Sequence, residues 1–147
     1  MLTPATPEHV PAMKALLEAH HLPTNELEDW LDHFVVAEQD GQLIGCGGLE
    51  LYAEDSAALV RSMAVDGDLH GTGVGSRILE WVESHARDLG LQHLFLFTLD
   101  KAPFYERFGY ELVAYDAFPP SARNSFQYRV VEKRGKEWGV VAMAKDV

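Results

Sequence analysis

The stretch Val60–Val82, "VRSMAVDGDLHGTGVGSRILEWV", sets Gly71, Gly73 and Gly75 in alternation between an apolar run and an amphipathic pattern. On its upstream side, "ALVRSMAV" (Ala58–Val65) has the apolar density of a strand. Downstream, Val74, Ile78, Leu79, Val82, Ala86 and Leu89 fall on one helical stripe, and Gly90 supplies a stop. "HLFLFTL", from His93, is then an almost unbroken apolar run, as expected of a strand covered on both faces in a parallel pair. A strand, a helix and a second buried strand make a βαβ unit, and the glycines lie at its first strand-to-helix junction.

The flanking segments extend this unit into a mixed sheet. Thr6 before Pro7 has the character of a helix N-cap followed by a first-turn proline, and Val10, Met13, Leu16 and Leu17 recur at helical spacing, predicting a helix from Pro7 to His20. "LPTNELEDWLDH" reads as a loop with one or two helical turns. In "HFVVAEQDGQLIGCGGLELY" two apolar runs flank Asp40-Gly41, a strong hairpin signal. "KAPFYERFGYELVAY" predicts a short helix, a stop at Gly109 and a strand, and "WGVVAMAKDV" has the character of a closing strand. The expected fold class is α/β in the α+β sense: a central, mostly antiparallel sheet carrying one βαβ unit, with helices on both faces. No repeat and no linker rich in Pro, Gly or Ser divides the chain, so residues 1–147 read as a single domain.

Glycines at a strand-to-helix junction let backbone N–H groups converge without interference from Cβ atoms, and the helix N-terminus adds its positive dipole end. That combination suits an anion, above all a phosphate group. A P-loop needs a Lys after its last glycine, and Ser76 and Arg77 follow Gly75 here. A dinucleotide fingerprint needs Gly-x-Gly-x-x-Gly after the first strand of the fold, whereas position 76 is Ser and the unit lies behind a hairpin. The plain alternative is a tight turn that only packs helix against sheet.

The segment His70-Gly71-Thr72-Gly73-Val74-Gly75-Ser76, with "MAV" before it and "FYERFGY" after it, resembles the pyrophosphate loop and neighbouring elements of the GCN5-related N-acetyltransferases (GNAT). His70 stands where that family has Arg or Gln, so a full positive charge is present there only when the imidazole is protonated. The resemblance implies a GNAT-like fold, an acetyl-CoA-dependent N-acetyltransferase and a pyrophosphate held by residues 70–76. It also implies that the backbone of Met63, Ala64 and Val65 faces the pantetheine and thioester, and that Phe104 lies beside the cofactor. Tyr105 occupies the position of the family's tyrosine near the CoA sulfur, making it a candidate general acid, with simple packing as the alternative. Thr98 and Lys101 replace the family's usual Asn and Ala, and Lys101 either reaches a CoA phosphate or faces solvent.

Within the superfamily, "LVRSMAV", "FYERFGY" and the tail "FPPSARNSFQYRVV" followed by "VVAMAK" resemble the small arsenic-resistance N-acetyltransferases. This implies a small amino-acid-like anionic amine, glutamate-like or an arsenical or phosphinate analogue. Acetylation of a protein or peptide is the rival within the same chemistry, and a CoA-binding module without catalysis is the rival outside it. The stretch "VVEKRGKEWG" reads as a link longer and more charged than that subfamily's.

Among the other side chains, Arg61 interrupts an apolar strand and needs an anionic partner, either an internal Asp or Glu or the carboxylate of a substrate. Arg123 and Arg129 are further candidates for an acid-binding pocket or, equally, surface cations. Glu50, on the third strand, is a candidate base acting through a water, or a solvated carboxylate. His20 and His21 read as helix-end residues and Cys46 as a small core residue. No metal site is expected. A formal net charge of −11 argues against nucleic-acid binding and against a polybasic membrane contact. No export signal or membrane span is visible, so the expectation is a soluble cytoplasmic protein, with the closing strand as a possible homodimer edge.

Overall fold

A computed structural model describes residues 1–147. Its strands hydrogen-bond in the order β1-β2-β3-β4-β5-β7-β6, in which the β1–β2, β2–β3, β5–β7 and β6–β7 pairings are antiparallel and β4–β5 is parallel. The mixed, mostly antiparallel sheet is the fold class that the sequence predicts. The chain forms two compact units, Met1–Glu50 with Val60–Asp88, and Leu51–Leu59 with Leu89–Val147. No helix is long and apolar enough to cross a membrane.

The first unit holds β1 (Leu2–Pro4), α1 (Val10–Ala19), β2 (Phe34–Gln39), most of β3 (Gln42–Tyr52), the second part of β4 (Ala57–Val65) and α2 (Val74–Asp88). The helix expected from Pro7 begins as a 3-10 turn, Pro7–His9, and turns α-helical only at Val10. Pro11 explains the delay, because it has no N–H to bond back to Pro7. Asp40 and Gly41 both take positive φ, 53° and 76°, as a two-residue hairpin turn matched to strand twist requires. Met13, Leu17, Leu27, Leu31, Phe34, Val36, Cys46 and Ala64 form the core.

Helix α2 buries Val74, Ile78, Leu79, Val82 and Ala86, while Leu89, assigned to the same stripe, lies beyond its end and is 43% exposed. The helix approaches β3 closely because β3 carries glycine there. A Cβ at Gly45 would lie 2.9 Å from Ile78 Cδ1, and one at Gly47 would lie 2.7 Å from Ile78 Cγ2 and collide with Met63 Sδ. Near its other end α2 meets the turn before β2, where His33 Nδ1 and His85 Nε2 share a hydrogen bond of 3.0 Å and Trp81 stacks on His85. Burial, and secondarily the His33 ring, hold the His85 imidazole below its ordinary pKa, with Asp88 opposing them.

The second unit holds the start of β4, then β5 (His93–Thr98), α3 (Ala102–Glu106), β6 (Glu111–Val113), α4 (Phe126–Trp138) and β7 (Val141–Asp146). The parallel pairing of β4 with β5 runs from Ala57↔His93 to Leu59↔Phe95. On β5, Leu94, Leu96 and Thr98 are buried while His93, Phe95 and Phe97 are half-buried, so its two faces are covered unequally. Phe95 and Phe97 pack with Leu59, Tyr115, Phe118, Ala122, Tyr128 and Ala142. The Ser121 side chain donates to Asp55 and holds that carboxyl below the usual range.

Two expectations are corrected here. The segment read as a long charged link is helix α4: Ser125 accepts from Tyr128 N–H at its start, and Gly139 ends it at φ 81°. Tyr128, Val131 and Gly135 are its buried positions, and Gly135 is small because the Tyr115 hydroxyl lies 2.6 Å from where a Cβ would stand. The closing strand β7, taken as an exposed edge suited to a homodimer, is flanked by β5 on one side and β6 on the other. Between Ala142 and Ala144 it is bordered by a strand on both sides, so it is an inner strand of the sheet and the edge argument for a dimer does not apply to that stretch.

Overpacking between β3 and α2 gives one test: Gly47→Val should lower stability by roughly 1–3 kcal/mol, read as a fall in denaturation midpoint. The imidazole pair gives another. Because the His85 pKa is lowered on folding, its contribution is present above the ordinary imidazole value near 6.5 and is lost as pH falls through the lower folded value. Thermal unfolding of the native chain should therefore weaken on acidification more steeply than that of His85→Gln, and parallel curves would contradict this.

Candidate functional site

The strand-to-helix junction is built by local backbone bonds. Asp66 N–H donates to Ile44 O at 2.8 Å, and the Asp66 carboxylate accepts from Asp68 N–H at 3.1 Å, fixing a 3-10 turn over Gly67–Leu69. His70 folds back so that Nε2–H donates to Val65 O at 3.0 Å, and the Thr72 hydroxyl donates to Leu69 O. Gly71 and Gly73 lie at φ 83° and 90°, the left-handed region that an L side chain rarely adopts, and nothing within 4 Å faces either would-be Cβ. Gly75 differs, since it sits inside the first turn of α2.

The first N–H groups of a helix have no intrahelical acceptor, and here the intrahelical ladder begins with Arg77 N–H to Gly73 O. Residues 70–73 are exposed at this end, Val74 is buried, and Gly75 and Ser76 are half-buried. The arrangement is an open helix N-terminus with the positive end of its dipole toward solvent, which favours an anion. His70, with Nε2 tied to β4, presents an imidazole and not a fixed cation beside it.

Behind this loop, β4 contains a buried polar cluster. Arg61, Ser62 and Glu50 are 7%, 8% and 4% exposed. Arg61 Nη1–H donates to Glu50 Oε1 at 2.9 Å, and Arg61 Nε–H donates to the Ser62 hydroxyl oxygen at 3.0 Å. Of the two partners left open for Arg61, the structure thus supplies the internal carboxylate, and it is the residue singled out as the candidate base. Ser62 has φ 59°, and the Cys46 thiol donates to its carbonyl at 3.3 Å. Beyond this residue, burial along β4 changes from continuous to alternating: Met63 half-buried, Ala64 buried, Val65 half-buried.

In the second unit, α3 carries Phe104 and Tyr105. Tyr105 is buried, its ring edge-on to Phe104 and to Tyr110, and burial pushes its phenol above the ordinary range, so it is protonated at neutral pH. Phe104 is half-buried, with the Arg107 guanidinium over its ring. Thr98 accepts from Lys101 N–H at 3.0 Å, fixing the start of α3, and the Lys101 side chain is exposed. Arg123 donates to the carbonyls of Phe118 and Asp116 at 2.9 and 2.6 Å, so its guanidinium braces a turn of its own chain. Arg129 is exposed on α4. His20 and His70 have ring centroids 6.1 Å apart, and no group of three or more His, Cys, Asp or Glu is arranged to hold a metal ion.

The Acetyltransferase (GNAT) domain family matches residues 30–112, a span that includes the hairpin, the buried cluster, the glycine loop and α3. The chain belongs to the GNAT acetyltransferase family. Similar proteins include the amino-acid acetyltransferases of Mannheimia succiniciproducens, 27% identical over 71% of this chain and 24% of that protein, and of Ralstonia nicotianae, 31% identical over 70% and 23%. The chain spans about a quarter of the length of these relatives. In fold it is similar to N-acetylglutamate synthase from Neisseria gonorrhoeae complexed with coenzyme A and N-acetyl-glutamate, with TM-score 0.82 and 23% identity over 99% of this chain and 34% of that one. A Mycobacterium tuberculosis protein in complex with CoA gives TM-score 0.81 and 24% identity, over 100% of this chain and 99% of that one.

Sequence reasoning about this GNAT chain misses Ser62 and the part played by Cys46. Nothing in "VRSMAV" marks a left-handed residue, since Ser lacks the local signal that Gly or Asn gives. Cys46, read as a core residue, is buried as expected and also bonds to Ser62; its burial pushes the thiol up to about 12. Cys46 should therefore resist a disulfide reagent at pH 8 in the native protein and react fully once the chain is unfolded. Rapid labelling of the native protein would contradict the burial.

Proposed function

We propose that this chain transfers the acetyl group of acetyl-CoA to the amine of a small, amino-acid-like anionic substrate. The open N-terminus of α2, with left-handed Gly71 and Gly73 clearing the space before it, carries the reading. Family membership gives that anion site its ligand class, the CoA pyrophosphate held by the amides of residues 71–76, with His70 and Thr72 shaping the loop. The backbone of Met63, Ala64 and Val65 follows the pantetheine arm, and an N–H among them stabilises the oxyanion as it develops. Phe104 packs beside the cofactor.

The amine attacks the thioester carbonyl carbon, a C–N bond forms, the C–S bond breaks, and CoA leaves as a thiolate. Tyr105, neutral at physiological pH, donates the proton that the thiolate takes and regains one from the nitrogen, which loses its second proton as the intermediate collapses to the amide. Burial makes the free phenol a weaker acid, so donation requires that contacts made with the bound cofactor narrow the gap between phenol and thiol. Glu50, through a water, takes the proton that the incoming ammonium must lose. Arg61 is the buried cation available to a carboxylate, which must compete with Glu50 for the guanidinium. The curated relatives are named amino-acid acetyltransferases, and this supports an amino acid as the acceptor. Glutamate-like acids and their arsenical or phosphinate analogues are the finer proposal, resting on the "LVRSMAV" and "FYERFGY" segments and on Arg61. The Arg123 guanidinium braces its own turn, and Arg61 is bonded to Glu50 and Ser62, so a substrate acid must displace an internal partner at either one.

Calorimetric titration with acetyl-CoA, followed by thiol release over a panel of amino acids and peptides, tests the reading. Acetyl-CoA should bind, and Gly73→Asp should weaken binding at least about tenfold because a carboxylate would face the pyrophosphate. Unchanged affinity in that variant would refute the loop assignment. Turnover of peptides with none of any small amino acid would refute the substrate class.

A further inference from the structure

Successive side chains of a strand point to opposite faces, so Arg61 and Ser62 should not meet. They do meet: Arg61 Nε lies 3.0 Å from the Ser62 hydroxyl oxygen. The contact exists because Ser62 takes φ 59°, a left-handed conformation in mid-strand for a residue that is neither Gly nor Asn. Such a conformation persists only where its surroundings over-determine it. Three bonds do so here. Arg61 Nε holds the Ser62 side chain, Glu50 Oε1 holds the other arm of the same guanidinium at 2.9 Å, and Cys46 Sγ–H holds the Ser62 carbonyl at 3.3 Å. Cys46 and Glu50 are four residues apart on β3, which puts them on one face of that strand. All four residues are buried, and burial along β4, continuous through Ser62, alternates immediately after it.

We propose that Arg61, Glu50 and Cys46 are positioning residues that lock Ser62 in its left-handed conformation, and that this lock sets the direction of the N–H and C=O groups of Met63, Ala64 and Val65. The inference rests on the proposed acetyl transfer only for its consequence, that these backbone groups receive acetyl-CoA. It assigns the Arg61–Glu50 pair a task that does not depend on which amine is acetylated. A single left-handed residue turns the strand as a bulge does, re-aiming the residues beyond it. Without the lock, Ser62 would relax toward an extended conformation and carry the next three residues with it.

Removing the Arg61 charge outright would strand Glu50 in the interior and could unfold the chain, so the test uses milder changes. Ser62→Ala removes the hydroxyl but keeps the Cβ that disfavours positive φ. Ser62→Gly removes both, and tolerates the left-handed conformation without a lock. Arg61→Lys keeps a cation for Glu50 and loses the second donor. Backbone amide shifts of Met63, Ala64 and Val65 are read by NMR in the free proteins, and acetyl-CoA affinity is read by calorimetry.

In Ser62→Ala and Arg61→Lys the three amides should shift together and acetyl-CoA affinity should fall about tenfold, as expected for loss of one over-determined conformation. Ser62→Gly should keep both near the native values, and adding it to Arg61→Lys should restore them. Native amide positions in Ser62→Ala and Arg61→Lys, or a Ser62→Gly variant as displaced as Ser62→Ala, would overturn the lock. Failure of the unaltered protein to bind acetyl-CoA would instead count against the proposed acetyl transfer, and the amide shifts would still decide the lock. An effect of Arg61→Lys confined to the acceptor KM, with amides and acetyl-CoA affinity unchanged, would overturn the proposal in favour of substrate contact.

Discussion

A guanidinium buried in a strand must be neutralised and hydrogen-bonded where it lies, because an isolated charge in the interior costs far more than a marginally stable fold can offset. Arg61 meets that condition through Glu50 and Ser62, and each partner brings a structural consequence. Glu50 ties β4 to its neighbour in sequence, β3. Ser62 gives up an ordinary strand conformation for a left-handed one. The loop of Gly71 and Gly73 begins only a few residues later, so one short segment carries the buried guanidinium and three left-handed residues.

The glycines of this unit serve two separate ends. Gly45 and Gly47 are absences that let a helix lie close to a sheet, where any Cβ would meet Ile78 or Met63. Gly71 and Gly73 face nothing at all, and their value is dihedral. The first pair brings α2 down onto the strands and the second opens its N-terminus to solvent. An anion site at a helix N-terminus needs both, since a helix held at a distance could not place its first amides beside the end of β4.

The βαβ unit, the Asp40-Gly41 hairpin, α3 and the closing strand were legible because each is written in local periodicity or in turn residues. Helix α4 was not, because its buried stripe is thin: Tyr128 and Val131 are followed by Gly135, and charged residues fill the rest. The position of β7 between β5 and β6 is a matter of pairing between segments far apart in the sequence, which no local pattern records. At the site, the glycine turn between strand and helix was legible in the local pattern, whereas its expected ligand came from the resemblance of the elements on both sides of it. The Arg61–Glu50 contact was not legible, since it joins positions 11 residues apart on two different strands, and nothing local in the sequence marks the left-handed φ of Ser62.

The insertion of β7 bears on how the second unit comes into being during synthesis. β5 and β6 leave the ribosome well before residues 141–146, and until those residues arrive neither strand has the partner that separates them in the finished sheet. The waiting segment, "HLFLFT", is apolar, rich in aromatic residues and short of charge, the composition that pairs readily with a foreign strand. Closure therefore comes late and by a non-local step, the kind that topology makes slow. Production of the chain should thus depend on growth temperature and chaperone supply more than its size suggests.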